Sequence, residues 1–246
     1  MNGRALLIII AVTGFATIPG QAQLSTADGT VVSAYRAAIT AAESGRSPRG
    51  IEAAFELLVP LRAALMQTRN GRNVLESLPD EEFQRLRQGL PGALVNRDEV
   101  VFVEPDPDYF AKLAAARGDR ADRAFFVALK ATYPGSVWPV YVDQQTDHGG
   151  CSRFGSMSLL QTYGRWADFQ RGFPGRYVEG AKKEVDAVIE HLAASTCACG
   201  DLASVEKELG EFLRTSPAAA ARAMVNRRLQ DLRAGRSDIR AGCVPG

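Results

Sequence analysis

The chain is short of several features that identify common protein classes. Its 246 residues include only two histidines and four cysteines, and its 29 basic residues nearly balance its 28 acidic residues. Two histidines exclude a three-histidine zinc site, and the balanced charge argues against general nucleic-acid binding, which leaves a basic excess. Only the first twenty residues approach an apolar run of about 20, so a polytopic membrane protein is excluded.

Motifs of the commonest enzyme classes are also missing. The sequence contains no glycine-rich phosphate loop, no Gly-x-Ser-x-Gly turn and no His-Glu-x-x-His segment, and these absences remove the enzyme classes that carry them. An acid-rich run at residues 98–108 lacks the ligand spacing and the turn glycine of a calcium loop. We therefore expect no cofactor, no bound metal and no nucleic-acid partner.

Residues 1–22 have the three parts of a secretory signal peptide. Arg4 supplies the positive start, residues 5–18 form an apolar stretch too short to span a bilayer, and a turn with small residues follows at 19–22. We predict cleavage before Gln23, no transmembrane segment after cleavage, and a periplasmic or secreted protein. The alternative is an uncleaved N-terminal anchor. Arginine outnumbers lysine 24 to 5, which favours a bacterium with a GC-rich genome.

The four cysteines predict two disulfide bonds in an oxidising compartment. Cys197 and Cys199 have one residue between them, so a bond within this pair would close a strained small ring. Two pairings stay open: Cys151–Cys197 with Cys199–Cys243, or Cys151–Cys199 with Cys197–Cys243. A metal site formed by Cys197, Cys199 and His191 is disfavoured, because structural zinc normally uses two clusters at wider spacing.

Apolar residues recur at helical spacing along most of the chain, with helix-start and helix-stop residues between the runs. The first run covers residues 30–43 and stops at Gly45. The starts of later helices are indicated at Ser47-Pro48, Pro79, Asp106-Pro107, Asp119, Ser156, Asp201 and Ser216-Pro217. The pattern predicts seven to nine helices.

Strand candidates are few. Residues 98–103 and 137–142 are short apolar runs rich in β-branched side chains, and Pro139 restricts the second to a sheet edge. We therefore predict a mainly α, disulfide-stabilised fold with at most a small two-stranded β element. Residues 23–246 are interpreted as a single mostly helical domain, with a two-part layout on either side of residues 134–155 as the alternative.

The most unusual segment is residues 141–155, which combines carboxylate, amide, imidazole and guanidinium groups in a glycine-rich loop. A loop that is held by a disulfide and flanked by regular elements is a good platform for a site. It is interpreted as a recognition surface, with a tight polar turn as the alternative. The candidate binding residues are Trp138, Tyr141, Gln144, Gln145, Arg153 and Phe154.

The same loop supplies a catalytic hypothesis. Asp147 or Asp143 would orient His148 as a general base, and Ser152 or Thr146 would be the nucleophile. Residues this close in sequence seldom form a complete catalytic site by themselves, so catalysis ranks below recognition.

Other polar residues have simpler interpretations. Glu52 and Glu56 share a helix face, as do Glu208 and Glu211, and both pairs are predicted to be solvated. His191 lies beside the apolar face of a helix, which is typical of a partly exposed or hydrogen-bonded core histidine.

These features together favour a non-enzymatic exported helical module. Its partner would be an unidentified envelope protein or polymer, bound by a surface centred on residues 143–153. The alternative is a periplasmic hydrolase that uses His148 as the general base.

Overall fold

The computed structural model describes residues 24, 26–69, 71–135, 137–146, 149–215 and 219–243. The predicted signal peptide at residues 1–22 and its cleavage position lie outside these ranges. The described chain forms eleven helices: α1 (Thr26–Ser44), α2 (Gly50–Glu56), α3 (Leu58–Leu65), α4 (Val74–Ser77), α5 (Asp80–Gln88), α6 (Pro107–Arg117), α7 (Arg120–Thr132), α8 (Ser158–Gly172), α9 (Val178–Ala194), α10 (Leu202–Thr215) and α11 (Ala219–Arg233). None of these helices is both long and apolar enough to cross a membrane.

Short strands complete the described chain: β1 (Thr68–Arg69), β2 (Arg72–Asn73), β3 (Ala93–Asn96), β4 (Phe102–Pro105), β5 (Val142–Thr146), β6 (Gly149–Ser152), β7 (Cys197–Ala198) and β8 (Arg240–Ala241). β1–β2 and β3–β4 are antiparallel hairpins. The other strands form one sheet of order β5-β6-β7-β8, in which β5 and β6 are antiparallel and the remaining pairs are parallel. The mainly α prediction is confirmed, but the predicted numbers of helices and strands are too low.

Local sequence explains the extra helices. The long run predicted after residue 48 breaks at Leu57 into α2 and α3. Pro60 stands in the first turn of α3 and has no backbone N–H to donate to Glu56, so one continuous helix is disfavoured. α4 is a single turn that begins after Asn73, whose side chain accepts the N–H of Leu75 in a capping box.

Several predicted helix starts are confirmed. The Asp106 side chain accepts the N–H groups of Asp108 and Tyr109 at the start of α6, and Asp119 forms a capping box at the start of α7. The start predicted at Ser47-Pro48 is wrong, because α2 begins at Gly50. The start predicted at Ser216-Pro217 lies outside the described residues.

The two predicted strands are displaced along the chain. Residues 98–101 form the turn of the β3–β4 hairpin, so the strand begins at Phe102. In the second candidate only Val142 belongs to a strand. The preceding residues turn instead, and the carbonyl of Pro139 accepts the N–H of Val142 at 2.9 Å.

Two clusters of buried apolar side chains form the core. The first is built mainly from α1–α7 and the β3–β4 hairpin, and in it the ring of Phe125 stacks on Tyr177 at 4.0 Å between centroids. The second joins Tyr141 and Phe154 to the apolar faces of α10 and α11. α8 and α9 supply side chains to both clusters, and Val185 packs against both. The single domain over residues 23–246 stays a prediction.

A buried ion-pair network joins α2, α7 and the turn before α9. Its centre is Arg176, which donates to the carboxylates of Glu52, Asp119 and Asp122. Glu52 is only 6% exposed. The prediction of a solvated face for Glu52 and Glu56 is therefore wrong for Glu52, since its carboxylate binds a guanidinium inside the fold.

Glu208 on α10 is also buried, at 0% exposure, which contradicts its predicted solvation beside Glu211. Its carboxylate accepts the N–H of Gly155 at 2.6 Å. Burial raises the pKa of Glu208, while backbone N–H groups at the start of α8 act to lower it. α8 begins after Met157 without a side-chain cap of its own, so Glu208 stabilises this helix start from a distant helix.

Candidate functional site

The two disulfide bonds hold the sheet that carries the predicted loop. Cys151 pairs with Cys199 and Cys197 pairs with Cys243, with Cα–Cα distances of 5.1 and 5.9 Å. The sequence left this pairing open as one of two. The first bond fastens β6 to the residue after β7, and the second fastens β7 to the C-terminal tail after β8.

One group of metal-ligating residues occurs in the described chain. A carboxylate oxygen of Asp143 and the sulfur atoms of Cys151 and Cys199 lie within 4.8 Å of one another. The two sulfurs are bonded to each other, so neither is the thiolate that a metal ion requires. This oxidised group therefore does not form a metal site.

The polar residues of the predicted loop lie in different environments. Asp143 and Gln144 are exposed on β5, and Arg153 is exposed after β6. Gln145 is partly buried, and its amide donates to the carbonyl of Cys243, which fastens the tail to the loop. Asp147 and His148 lie outside the described residues.

Two of the three aromatic residues among the candidate binding residues lie in the core. Tyr141 is 1% exposed and Phe154 is 4% exposed, and both pack in the second cluster. They cannot contact a partner at the surface, so their assignment as binding residues is corrected. Trp138 is only partly buried and remains accessible.

Ser152, one of the two nucleophile candidates, forms a hydrogen bond with His191 and not with the predicted base His148. Its hydroxyl lies 2.8 Å from Nδ1 of His191, and the imidazole packs edge-on against Tyr141 at 5.0 Å between centroids. Burial lowers the pKa of His191. Ser152 is itself only 2% exposed, so a substrate could reach its hydroxyl only if the core opened.

A groove of about 610 Å³ lies between the β3–β4 turn and the segment that leads into β5. The turn supplies carboxylates, and the facing segment supplies an indole ring and an amide. We call this cavity the acidic groove. It is lined by Asn96, Asp98, Glu99, Val100, Phe102, Glu104, Val137, Trp138 and Gln144.

The charge in the acidic groove is of one sign. Asp98 and Glu99 are exposed, and no basic side chain of the described chain forms a salt bridge with either. Glu104 is compensated, since Arg62 lies 2.7 Å and Lys183 4.0 Å from its carboxylate. The mouth of the groove therefore presents two uncompensated carboxylates to solvent.

A smaller cavity of about 20 Å³ adjoins the groove and shares Glu104 and Val137 with it. We call it the inner cavity. It is completed by Pro105, Tyr133, Lys183 and Glu184. Glu184 lies on α9 and is 4% exposed, and its Oε2 atom accepts the hydroxyl hydrogen of Tyr133 at 3.0 Å. Burial raises the pKa of Glu184.

The sequence predicted some residues of the acidic groove but did not show that they line one cavity. Trp138 and Gln144 are among the predicted binding residues, whereas the acid-rich run at residues 98–108 gives no prediction of a binding site. Glu184 was missed, although it occupies a core position on α9, three residues after Ala181 and four before Val188. A carboxylate at an apolar helical position is the signal that could have identified it.

Comparison of the chain with protein-family models, with curated proteins and with solved structures finds no match.

Proposed function

We propose that the protein is a non-enzymatic binding module of an oxidising, extracytoplasmic compartment, and that its acidic groove binds a basic segment of another protein. The observation that supports this most directly is that Trp138 and the uncompensated carboxylates of Asp98 and Glu99 line the same groove. The volume of about 610 Å³ falls in the range of about 300–1,000 Å³ that is usual for ligand sites.

The chemistry of the lining favours a cation. The face of an indole ring attracts ammonium and guanidinium groups, and the carboxylates add a local negative potential that acts over a Debye length, about 8 Å at physiological ionic strength. An acidic partner would meet like charge at the mouth. A basic peptide segment therefore fits the groove better than an anionic envelope polymer does.

The compartment is inferred from two features. Both disulfide bonds suit an oxidising environment, and the signal peptide predicted at residues 1–22 favours export to the periplasm or the medium. The described helices contain no membrane-spanning candidate.

The hydrolase alternative gains no support from the described contacts. Ser152 is buried against His191, and Asp143 is exposed on β5 beside a disulfide rather than beside a nucleophile. Binding is the better interpretation, because the groove is open to solvent while the serine is not.

The proposal is tested by titrating the full secreted chain with a peptide of alternating lysine and glycine and with a matched peptide of alternating glutamate and glycine. We expect only the basic peptide to bind and to change the tryptophan fluorescence. Trp166 is fully buried, so the change should disappear in Trp138→Phe. Binding of the acidic peptide alone, or of neither peptide, would overturn the proposal.

Paired charge variants locate the binding. The double variant Asp98→Asn/Glu99→Gln should bind the basic peptide about tenfold more weakly, because two charges that face the ligand are lost. Asp168→Asn/Asp186→Asn is the matched control: it removes the same charge from two exposed sites on α8 and α9. If the two double variants weaken binding equally, the groove is not the site.

A further inference from the structure

Glu184 is the one buried carboxylate among the described residues that line the acidic groove and the inner cavity. Among the described residues, Tyr133 is the one hydrogen-bond donor to Glu184, and its bond is to Oε2. Glu184 forms no salt bridge with a described basic side chain, and Arg62 and Lys183 both pair with Glu104. Burial raises the pKa of Glu184, while the charge of Lys183, which also lines the inner cavity, acts to lower it. A carboxylate buried with one donor is costly to ionise unless a cation reaches it.

The inner cavity offers space for such a cation beside this carboxylate. Its volume of about 20 Å³ exceeds the roughly 10–15 Å³ that one water-sized group requires. An ammonium nitrogen is a single heavy atom with three hydrogens to donate. A guanidinium is a planar group of four heavy atoms, and it would have to displace the walls.

The acceptors and the approach also suit a lysine. The carboxylates of Glu184 and Glu104 and the hydroxyl oxygen of Tyr133 can together accept the three hydrogens of an ammonium group. The aliphatic stem would pass Val137, which lines both the groove and the inner cavity, and contact Pro105, which lines the inner cavity. Burying the stem against apolar side chains while the charged end finds its partner is usual for lysine.

We propose that the inner cavity receives the ammonium group of a lysine from the bound basic segment, and that Glu184 makes the site select lysine over arginine. This inference rests on the proposed function, since the groove must first bind a basic segment. It adds a specificity-determining residue and a ligand class to that proposal.

The test compares two peptides of equal length and charge, one with lysine alternating with glycine and one with arginine alternating with glycine. The full secreted chain should bind the lysine peptide about tenfold more tightly, since a hydrogen bond between charged groups is lost with arginine. Glu184→Gln keeps the side-chain shape and an acceptor for Tyr133, so it should fold. It should bring the ratio of the two affinities close to one, while both peptides still bind.

The control is Glu190→Gln, an exposed position on the same helix, which should leave the ratio unchanged. If the unsubstituted chain binds neither peptide, the proposed function fails and this inference fails with it. If it binds both peptides equally, or if Glu184→Gln preserves the lysine preference, the inference fails while the proposed function stands.

Discussion

The Nε atom of Arg176 lies 2.6 Å from Oε2 of Glu52, although 124 positions separate the two residues in the sequence. The Nη1 and Nη2 atoms of the same guanidinium reach Asp119 and Asp122 at 2.6 and 2.8 Å. One side chain therefore fixes α2, α7 and the turn before α9 relative to one another. These elements enclose the first core, so the network contributes to the position of α9 and of Glu184 on it.

Removing the guanidinium should destabilise the fold strongly. Arg176→Gln would leave two buried carboxylates without their cation, and breaking a buried ion pair in this way costs about 3–5 kcal/mol. Arg171→Gln is the matched control, because it breaks an ion pair with Asp168 in which both side chains are 69% exposed, and exposed pairs contribute about 0–1 kcal/mol. Urea unfolding measures both free energies. Equal losses in the two variants would contradict a structural role for the Arg176 network.

The two disulfides should stabilise the fold to a similar extent but differ in accessibility. Their sequence separations are 48 and 46 residues, for which loop closure predicts about 4 kcal/mol each. Cys151 is 1% exposed, although its partner Cys199 is partly exposed, whereas both members of the second bond, Cys197 and Cys243, are partly exposed. Graded reduction followed by alkylation and peptide mass analysis should therefore label Cys197 and Cys243 before Cys151. Earlier labelling of Cys151 would show that the β5–β6 hairpin opens more easily than the tail.

The ionisation of Glu184 should appear in the pH dependence of stability. Burial raises the pKa of Glu184 in the folded state. The folded chain therefore keeps the carboxyl proton of Glu184 to higher pH than the unfolded chain does, in which the pKa of a glutamate is about 4.3. Stability is therefore lost as pH rises from that value through the folded pKa. Glu184→Gln removes this loss, so its free energy of unfolding should rise relative to that of the unsubstituted chain over the same interval. A constant or falling difference would mean that Glu184 is ionised without cost.

The helices were largely predictable from the sequence because their starts are local. Asp106 and Asp119 cap their helices with side chains that reach only two or three residues ahead. The start predicted at residue 48 is wrong because the backbone of Arg49 is left-handed, with φ 70°, so that α2 begins only at Gly50. The break at Leu57 follows from Pro60, which lies within the apolar run. The small sheet could not be foreseen, since β7 and β8 have two residues each and are held by distant partners.

The site was less predictable because it depends on contacts between distant segments. The acidic groove joins residues 96–104 to residues 137–144, and neither segment shows a binding pattern alone. The apolar run at residues 137–142 did not distinguish Tyr141, which is buried in the second core, from Trp138, which stays accessible. The sequence indicated a polar loop at residues 143–153, but the charge that faces the cavity comes from the β3–β4 turn.

Site-specific photo-crosslinking in the organism that makes the protein tests the binding claim most directly. A photoreactive residue placed at Val100, which lines the acidic groove, is compared with one at Val59, which is 71% exposed on α3. We predict that position 100 crosslinks to a lysine-rich segment of a protein, and that the crosslink is lost in Asp98→Asn/Glu99→Gln. Crosslinking at position 59 alone, or to a neutral or acidic segment at position 100, would contradict the assignment of the groove as a site for basic ligands.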